Sequence, residues 1–294
     1  MQEFNYQAKK LGTDIDVVLV CDSSDKANQL AGKALLMIDE YESRFSRFLP
    51  DSELSRLNAR QTSVVSDQFI EVLNRACELC RETNGVYNPL LQIKRLGYTR
   101  DFSKLGFEPA SNDESYNACL EDMKIDVSSK TVFLAEGQQL DFGGFLKGYL
   151  AQKIVETVMH EEIGVQGMIV NLGGDLCTIG ADKDDKPFTF SVFNPVTKED
   201  EKIIVQNTCL ATSGTYKRTW HYDGELVNHI MNTDSKNPDN NIISASVVAK
   251  DGALAEGSTK VFLCTPFKEA TEVLKESAVQ YLLIDHVGKV TSSV

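Results

Sequence analysis

The chain has 294 residues, and its 42% hydrophobic and 25% charged residues are typical of a soluble globular protein. With 30 lysines and arginines against 43 aspartates and glutamates, its net charge is −13, which disfavours general binding to nucleic acid or to anionic membrane surfaces. A small basic pocket for a phosphorylated ligand remains compatible with that charge, but no apolar run reaches the roughly 18 residues that a transmembrane helix needs.

The first half of the chain predicts mainly helices, because apolar side chains recur at three- and four-residue spacing. In chain order the predicted elements are a strand at Ile15–Cys21, a helix over residues 25–46, a helical turn after Pro50–Ser52, a helix at Asp67–Thr83, and short strands at Asp122–Val127 and Thr131–Leu134. The first strand is predicted from its β-branched residues, and Gly85 follows the end of the second helix.

The second half mixes strands with helices. The predicted elements are a helix at Lys147–Glu162, a strand at Met168–Asn171, a tight turn at Gly173–Asp175, strands at Pro187–Phe193 and Thr208–Thr212, a hairpin of Tyr216–Tyr222 with Leu226–Met231, a strand at Ile243–Ala249, helices over residues 251–263 and 266–277, and strands at Tyr281–Asp285 and Lys289–Ser292. Asp223–Gly224 is a strong two-residue turn signal. No repeat or linker divides the chain, so we expect a single α+β domain over residues 1–294.

The seven cysteines are odd in number and scattered, which favours reduced, buried thiols over a disulfide framework. Cys77 and Cys80 have the spacing of a zinc half-site, but two thiols on one buried helix face is the interpretation we favour. The first thirty residues contain no leader, so we expect a cytoplasmic protein as the chain stands, or an extracytoplasmic one if a leader or lipoprotein anchor has been trimmed.

Three segments carry possible chemistry. Gly143–Gly148 enters a helix with a lysine, which suits either a phosphate site or an ordinary turn. Asn171–Asp175 is a second glycine turn, and its aspartate either holds the turn or serves a ligand. His229 ends a predicted strand before a polar loop, where a general base or a structural histidine would both fit. The residues alone predict a possible pocket for an anionic ligand.

Taken in order, segments along almost the whole chain resemble the FAD:protein FMN transferases, the ApbE family. The matching segments are Leu11–Thr13, Phe45–Asn58, Gly85–Pro89 with Leu96–Tyr98, Leu140–Tyr149, Val170–Asp175, Ala211–Tyr216, His229–Asn232 and Ala255–Thr259. Leu140–Tyr149, for example, is similar to the family's L-D-L-G-G-I-A-K-G-Y, and Ala211–Tyr216 to its A-T-S-G-x-Y. The resemblance implies an α+β fold with mixed or antiparallel sheets and flanking helices in two intertwined subdomains.

The resemblance also implies a reaction and its residues. A threonine hydroxyl of a client protein would attack the FMN-side phosphorus of FAD, AMP would leave, and a divalent metal, usually Mg²⁺, would sit at the diphosphate. By this resemblance Asp141 and Lys147 would contact FAD, and His229 would accept the proton. The pocket would be lined by Leu11, Phe48, Tyr87, Asn88, Pro89 and Ile230, and the metal would be held by the Gly144 carbonyl, Glu256 and Thr259.

Departures from the family pattern cluster at this chemistry. The metal-binding aspartate of D-A-L-S-T is Ala255 here, with Glu256 one position later, and the aspartate of F-D-P is Asn88. The loop after His229 lacks the family's aspartate, proline and glycine. Three functions therefore compete: an active flavin transferase, a non-catalytic FAD- or nucleotide-binding paralogue, and a pyrophosphatase that splits FAD into FMN and AMP.

Overall fold

The computed structural model describes residues 1–99, 107–108, 116–160 and 163–293. The helices are α1 Ser24–Phe45, α2 Glu53–Arg60, α3 Asp67–Glu82, α4 Leu146–Met159, α5 Gly252–Cys264 and α6 Phe267–Val273. The strands are β1 Gln2–Lys10, β2 Thr13–Cys21, β3 Thr62–Val64, β4 Phe107–Glu108, β5 Lys124–Asp126, β6 Thr131–Phe133, β7 Val165–Leu172, β8 Asp175–Gly180, β9 Phe188–Phe193, β10 Asp200–Val205, β11 Cys209–Gly214, β12 Thr219–Tyr222, β13 Glu225–Asn228, β14 Ile242–Ala249, β15 Gln280–Asp285 and β16 Val290–Ser292.

An antiparallel sheet in the order β1-β2-β7-β8-β11-β14-β15-β16 is the frame of the molecule. Helices α1, α4 and α5 pack on one face of it and enclose the main hydrophobic core. The β9–β10 hairpin covers part of the other face, where Val192, Ile203 and Val205 pack with Leu176 and Leu210 of the sheet. The predicted α+β class is confirmed.

Serine caps fix where the first helices begin. Ser23, Ser52 and Ser66 each accept a hydrogen bond from a backbone N–H in the first turn of α1, α2 and α3. The break predicted at Pro50–Ser52 is thus the N-terminal cap of α2. Since α1 buries a stripe of alanines and larger apolar residues against β2, its polar face stays in water.

Several strands were missed from the sequence. β1 and β10 are rich in charged residues, and β1 is an edge strand that buries little of either face. β8 follows the Gly173–Gly174 turn and is buried along most of its length. The helix predicted at Lys147–Glu162 is observed to Met159, and residues 161–162 lie outside the described residues. The hairpin at Asp223–Gly224 forms as predicted, with strands shorter than expected.

The expectation that all seven cysteines are reduced was wrong. Cys177 and Cys209 form a disulfide between β8 and β11, where antiparallel pairing places them directly opposite with Cα atoms 4.0 Å apart. Because β8 was not predicted as a strand, this neighbourhood could not be foreseen. Cys77 and Cys80 are free and buried in α3, and burial raises the pKa of the Cys80 thiol to about 11. Among the described residues, every helix is too short or too polar to cross a bilayer.

Candidate active site

A cavity of about 1080 Å³ opens at one end of the large sheet. The strand register brings three chain segments to that end: the start of β2, the β7–β8 turn and the end of β11. The first turn of α4 and the middle of α5 complete its wall. Residues far apart in sequence therefore face one volume, which is large enough for a dinucleotide.

Most of the residues predicted for a site meet in this cavity. Its lining includes Leu11, Phe48, Tyr87, Asn88, Asp141, Gly144, Lys147, His229, Ile230 and Glu256. Pro89 and Thr259 are not among the described residues that line the cavity. Pro89 is buried and its carbonyl accepts a hydrogen bond of 2.8 Å from the Asp141 N–H, so it supports a residue that lines the wall.

Four charged side chains form the polar centre of the cavity. Lys147 makes ion pairs with Asp175 and with Glu256, the latter at 3.1 Å from Nζ to Oε1. Lys260 Nζ lies 3.4 Å from the same Glu256 oxygen. The two carboxylates are almost completely buried, at 2% and 1% exposure for Asp175 and Glu256. The charges of two carboxylates and two ammonium groups therefore compensate one another in a site with little access to water.

The pKa values in this cluster follow from burial and from neighbouring charge. Burial alone would lower the pKa of Lys147, but Asp175 and Glu256 outweigh it and raise the pKa. Burial opposes ionisation of Glu256, yet Lys147 and Lys260 hold its pKa below the usual range. For Asp175, burial and the nearby Glu256 charge raise the pKa despite the ion pair with Lys147. Lys147 is therefore protonated, and of the two carboxylates Glu256 is the one that loses its proton more readily.

The crossing of α4 and α5 sets the positions of these groups. The helices approach so closely at Gly148 and Gly252 that a Cβ added to either would lie 2.1 Å from the carbonyl oxygen of the other. At the crossing, the Gly148 N–H donates a 2.8 Å hydrogen bond to Glu256 Oε2. A carboxylate thus occupies one of the free N–H groups of the first turn of α4, where the sequence suggested a phosphate or a plain turn.

The second glycine turn is held by a residue other than the one considered from sequence. Asn171 Oδ1 accepts a 2.8 Å hydrogen bond from the Gly174 N–H, which stabilises the turn between β7 and β8. Asp175 instead begins β8 and directs its carboxylate at Lys147, leaving Oδ1 without a hydrogen-bond partner within the described ranges. Asp175 therefore belongs to the site.

Aromatic side chains and an arginine form the outer wall. Arg47 donates to Asp141 Oδ2 at 2.8 Å, and its guanidinium lies 4.7 Å from the Phe48 ring centroid and 4.6 Å from that of Tyr98. The Tyr87 ring also lines the cavity, where a Cβ added to Gly144 would lie 3.0 Å from it. The buried hydroxyl of Tyr87 has no hydrogen-bond partner in the described part of the chain. The cavity thus combines a wall of aromatic rings with a buried hydroxyl that can hydrogen-bond to a ligand.

His229 follows β13 at the side of the cavity. Its Nδ1 is buried and makes no hydrogen bond with any described residue. Burial, reinforced by the positive charges of Arg218, Lys260 and Lys147, lowers the pKa of His229 to about 3. The imidazole is therefore neutral at physiological pH, with a ring nitrogen able to accept a proton.

The donor set predicted for a divalent cation does not fit one. The buried Thr259 hydroxyl hydrogen-bonds to the Glu256 carbonyl at 2.6 Å and to Ser213 Oγ at 2.8 Å. Ala255 is a fully buried apolar residue, and the Glu256 carboxylate already binds two ammonium groups and an N–H. In the described ranges, no group of three or more His, Cys, Asp or Glu side chains could hold a metal ion.

Lys260, Arg47 and Tyr98 were missed as site residues. Lys260 follows Glu256 by four positions, which on a helix places the two side chains on one face. That spacing was a usable signal. Arg47 and Tyr98 lie within two of the segments that resemble the family, Phe45–Asn58 and Leu96–Tyr98, but their roles depend on contacts between those segments.

Comparisons with known proteins agree on one family. The chain matches the profile described as "ApbE family" over residues 11–283. It is 26% identical to a FAD:protein FMN transferase of Klebsiella pneumoniae, over 84% of this chain and 78% of the relative. Among solved structures, the ApbE protein of Thermotoga maritima has a TM-score of 0.84 at 20% identity, covering 99% of this chain and 97% of that one. The flavinyl transferase ApbE of Pseudomonas stutzeri has a TM-score of 0.81 at 17% identity, with 99% and 94% covered.

Proposed function

The chain belongs to the ApbE family, and on that premise we propose that it transfers FMN from FAD to a threonine hydroxyl of a client protein, with release of AMP. The observation that carries this proposal is the meeting of two ammonium groups and a neutral histidine in one dinucleotide-sized cavity. The lining runs from Leu11 to Lys260, which supports a single domain spanning the chain.

The cavity divides into parts that suit the parts of FAD. The aromatic wall of Phe48 and Tyr98, held by Arg47, suits a flat ring system. The ammonium groups of Lys147 and Lys260 suit the diphosphate, because phosphate oxygens accept strong charge-assisted hydrogen bonds. Asp141 would serve as a hydrogen-bond acceptor beside the aromatic wall.

The transfer needs an aligned hydroxyl, a proton acceptor and a site for negative charge. In the proposed step a bond forms between the threonine oxygen and the FMN-side phosphorus, and the bond from that phosphorus to the bridging oxygen breaks. AMP departs with the bridging oxygen, and the hydroxyl proton passes to His229 Nδ1. Lys147 stabilises the negative charge on the transferred phosphoryl group and on the leaving AMP. Because the donor set does not fit Mg²⁺, no part of this step is assigned to a metal.

Incubation with FAD and a client domain known to accept FMN tests the proposal. We expect a fluorescent flavin band on the client in a denaturing gel and one AMP released per flavin attached. Saturable FAD binding without AMP would identify the non-catalytic paralogue that Ala255 favours. Equal free FMN and AMP without a labelled client would identify a pyrophosphatase. Either result, with an active ApbE-family enzyme labelling the same client, contradicts flavin transfer.

A further inference from the structure

We propose that Lys260 takes the place of a divalent cation, so that this chain binds and transfers the FMN half of FAD without a metal ion. The inference rests on the proposed function and deepens it, because it assigns charge neutralisation at the diphosphate to a side chain. Nothing in the predicted ligand set of Gly144, Glu256 and Thr259 included this lysine.

The first observation is where the end of the Lys260 side chain lies. A Cβ built on Gly144 would stand 3.9 Å from Lys260 Cε, and Lys260 Nζ is 3.4 Å from both Glu256 Oε1 and Ser213 Oγ. The ammonium therefore lies among the residues proposed to surround a metal. A cation added there would meet an existing positive charge at short range, which costs free energy in a buried site.

The second observation is that the hydrogen-bonding capacity of Lys260 is only weakly used. Among the described residues its shortest hydrogen bond is 3.2 Å, to the Glu256 carbonyl, whereas charge-assisted bonds are usually about 2.7–2.9 Å. Lys260 also lines the cavity, with its side chain 16% exposed. An ammonium with three N–H groups and no short partner can turn them toward phosphate oxygens.

The third observation is that the side-chain oxygens of two of the three predicted metal ligands, Glu256 and Thr259, are engaged in hydrogen bonds. The Glu256 carboxylate binds Lys147 at 3.1 Å and the Gly148 N–H at 2.8 Å. The Thr259 hydroxyl is committed to the Glu256 carbonyl and to Ser213. Mg²⁺ demands near-octahedral oxygen ligands at close to 2.1 Å, which this arrangement could provide only by breaking these bonds.

Metal dependence of FAD binding tests the inference on the unmodified chain. FAD affinity is measured by quenching of flavin fluorescence, once in EDTA and once in millimolar Mg²⁺, and bound Mn²⁺ is measured by electron paramagnetic resonance with FAD present. We expect equal affinity within about twofold and no stoichiometric Mn²⁺. A tenfold loss of affinity in EDTA, or one bound Mn²⁺ per chain, overturns the inference while leaving flavin transfer intact. No FAD binding in either buffer contradicts the proposed function, and this inference with it.

Substitution of the lysine gives the matched comparison. Lys260→Met removes the charge and keeps the apolar stem, and we expect at least about a tenfold weaker FAD affinity that Mg²⁺ does not restore. Lys268→Met, on the exposed face of α6, is the control and should bind FAD as the unmodified chain does. Unchanged affinity in Lys260→Met overturns the inference.

The reverse design asks whether the lysine excludes a metal. In Ala255→Asp with Lys260→Ala, a carboxylate is added and the ammonium removed, so we expect Mn²⁺ binding and FAD affinity that falls in EDTA. Circular dichroism checks that the double variant is folded. A folded double variant that binds no Mn²⁺ contradicts the claim that Lys260 stands in for the cation.

Discussion

The pKa of the His229 imidazole determines whether it can accept a proton, and that pKa responds to nearby charges. Burial and the nearby cations lower its pKa to about 3, so that the ring is neutral before FAD binds. The diphosphate would bring negative charge close to the imidazole and raise that pKa toward the range useful for proton transfer. Substrate binding would therefore prepare the proton acceptor.

His229→Gln should reduce flavin transfer by roughly 10²–10⁴-fold, the usual contribution of a general base. Affinity for FAD should change little, because glutamine keeps the polarity and much of the size of the ring. Single-turnover labelling and fluorescence titration measure the two effects separately. Full transfer activity in this variant would remove His229 from the mechanism.

The same histidine predicts how stability depends on pH. The unfolded chain protonates it near its ordinary pKa of 6.5 and the folded chain only near 3, so between these values the unfolded state binds more protons. The free energy of unfolding therefore falls as the pH decreases through that interval. Between about pH 7 and about pH 5, the unmodified chain should lose more in Tm than His229→Gln does. Equal losses would show that the folded-state pKa of His229 is not depressed.

On the level of elements, α4 and α5 work as a pair. α4 supplies Lys147 and α5 supplies Glu256, so the distance between the helices sets the ion pair between these two residues. Gly148 and Gly252 set that distance. The packing of the two helices thus fixes the ion pair that joins them.

Gly148→Ala should destabilise the fold by at least about 2–3 kcal/mol, because the new methyl group would overlap the Gly252 carbonyl. Gly32→Ala, inside α1 with open space around its Cβ position, should be neutral or stabilise by up to about 1 kcal/mol. Urea denaturation measures both changes. Similar values for the two variants would contradict the tight crossing of the helices.

The sequence predicted elements with a strong local signal and missed features whose local signal is weak or absent. The periodic apolar stripe of α1 and the turn at Asp223–Gly224 are local features, and both are observed. β1 was missed although its partner is its neighbour in the chain: it forms a hairpin with β2 across Leu11–Gly12, and its polar composition masks the alternation of a strand. The pairing of Asp175 with Lys147 is not local, because only the folded sheet and α4 bring these two residues together. The preference for reduced thiols was wrong at Cys177 and Cys209, because the strand pairing that brings them together was not predicted.

Considered as a whole molecule, the chain places a balanced charge cluster inside a strongly acidic protein. Its net charge of −13 repels FAD at long range, so affinity must come from short-range contacts inside the cavity. The two lysines, held by α4 and α5, and the aromatic wall supply these contacts. Binding should therefore need little rearrangement of the protein.

FAD should accordingly raise the Tm, since a ligand held at one hundred times its Kd adds about 2.7 kcal/mol of stability. FMN and AMP added together should have a smaller effect at equal concentration, because neither carries the intact diphosphate that Lys147 and Lys260 address. Thermal melts with each ligand measure this. An equal shift from FMN alone would show that the diphosphate contributes nothing to recognition.

The contact between Gly148 and Gly252 also restricts how the protein can diverge. At most packed positions a larger residue on one side can be tolerated when its neighbour becomes smaller. Here both partners are already the smallest residue, so neither position can compensate for a change in the other. Relatives of this chain would therefore keep both glycines together. A larger residue at either position would move the helices apart and lengthen the ion pair between Lys147 and Glu256.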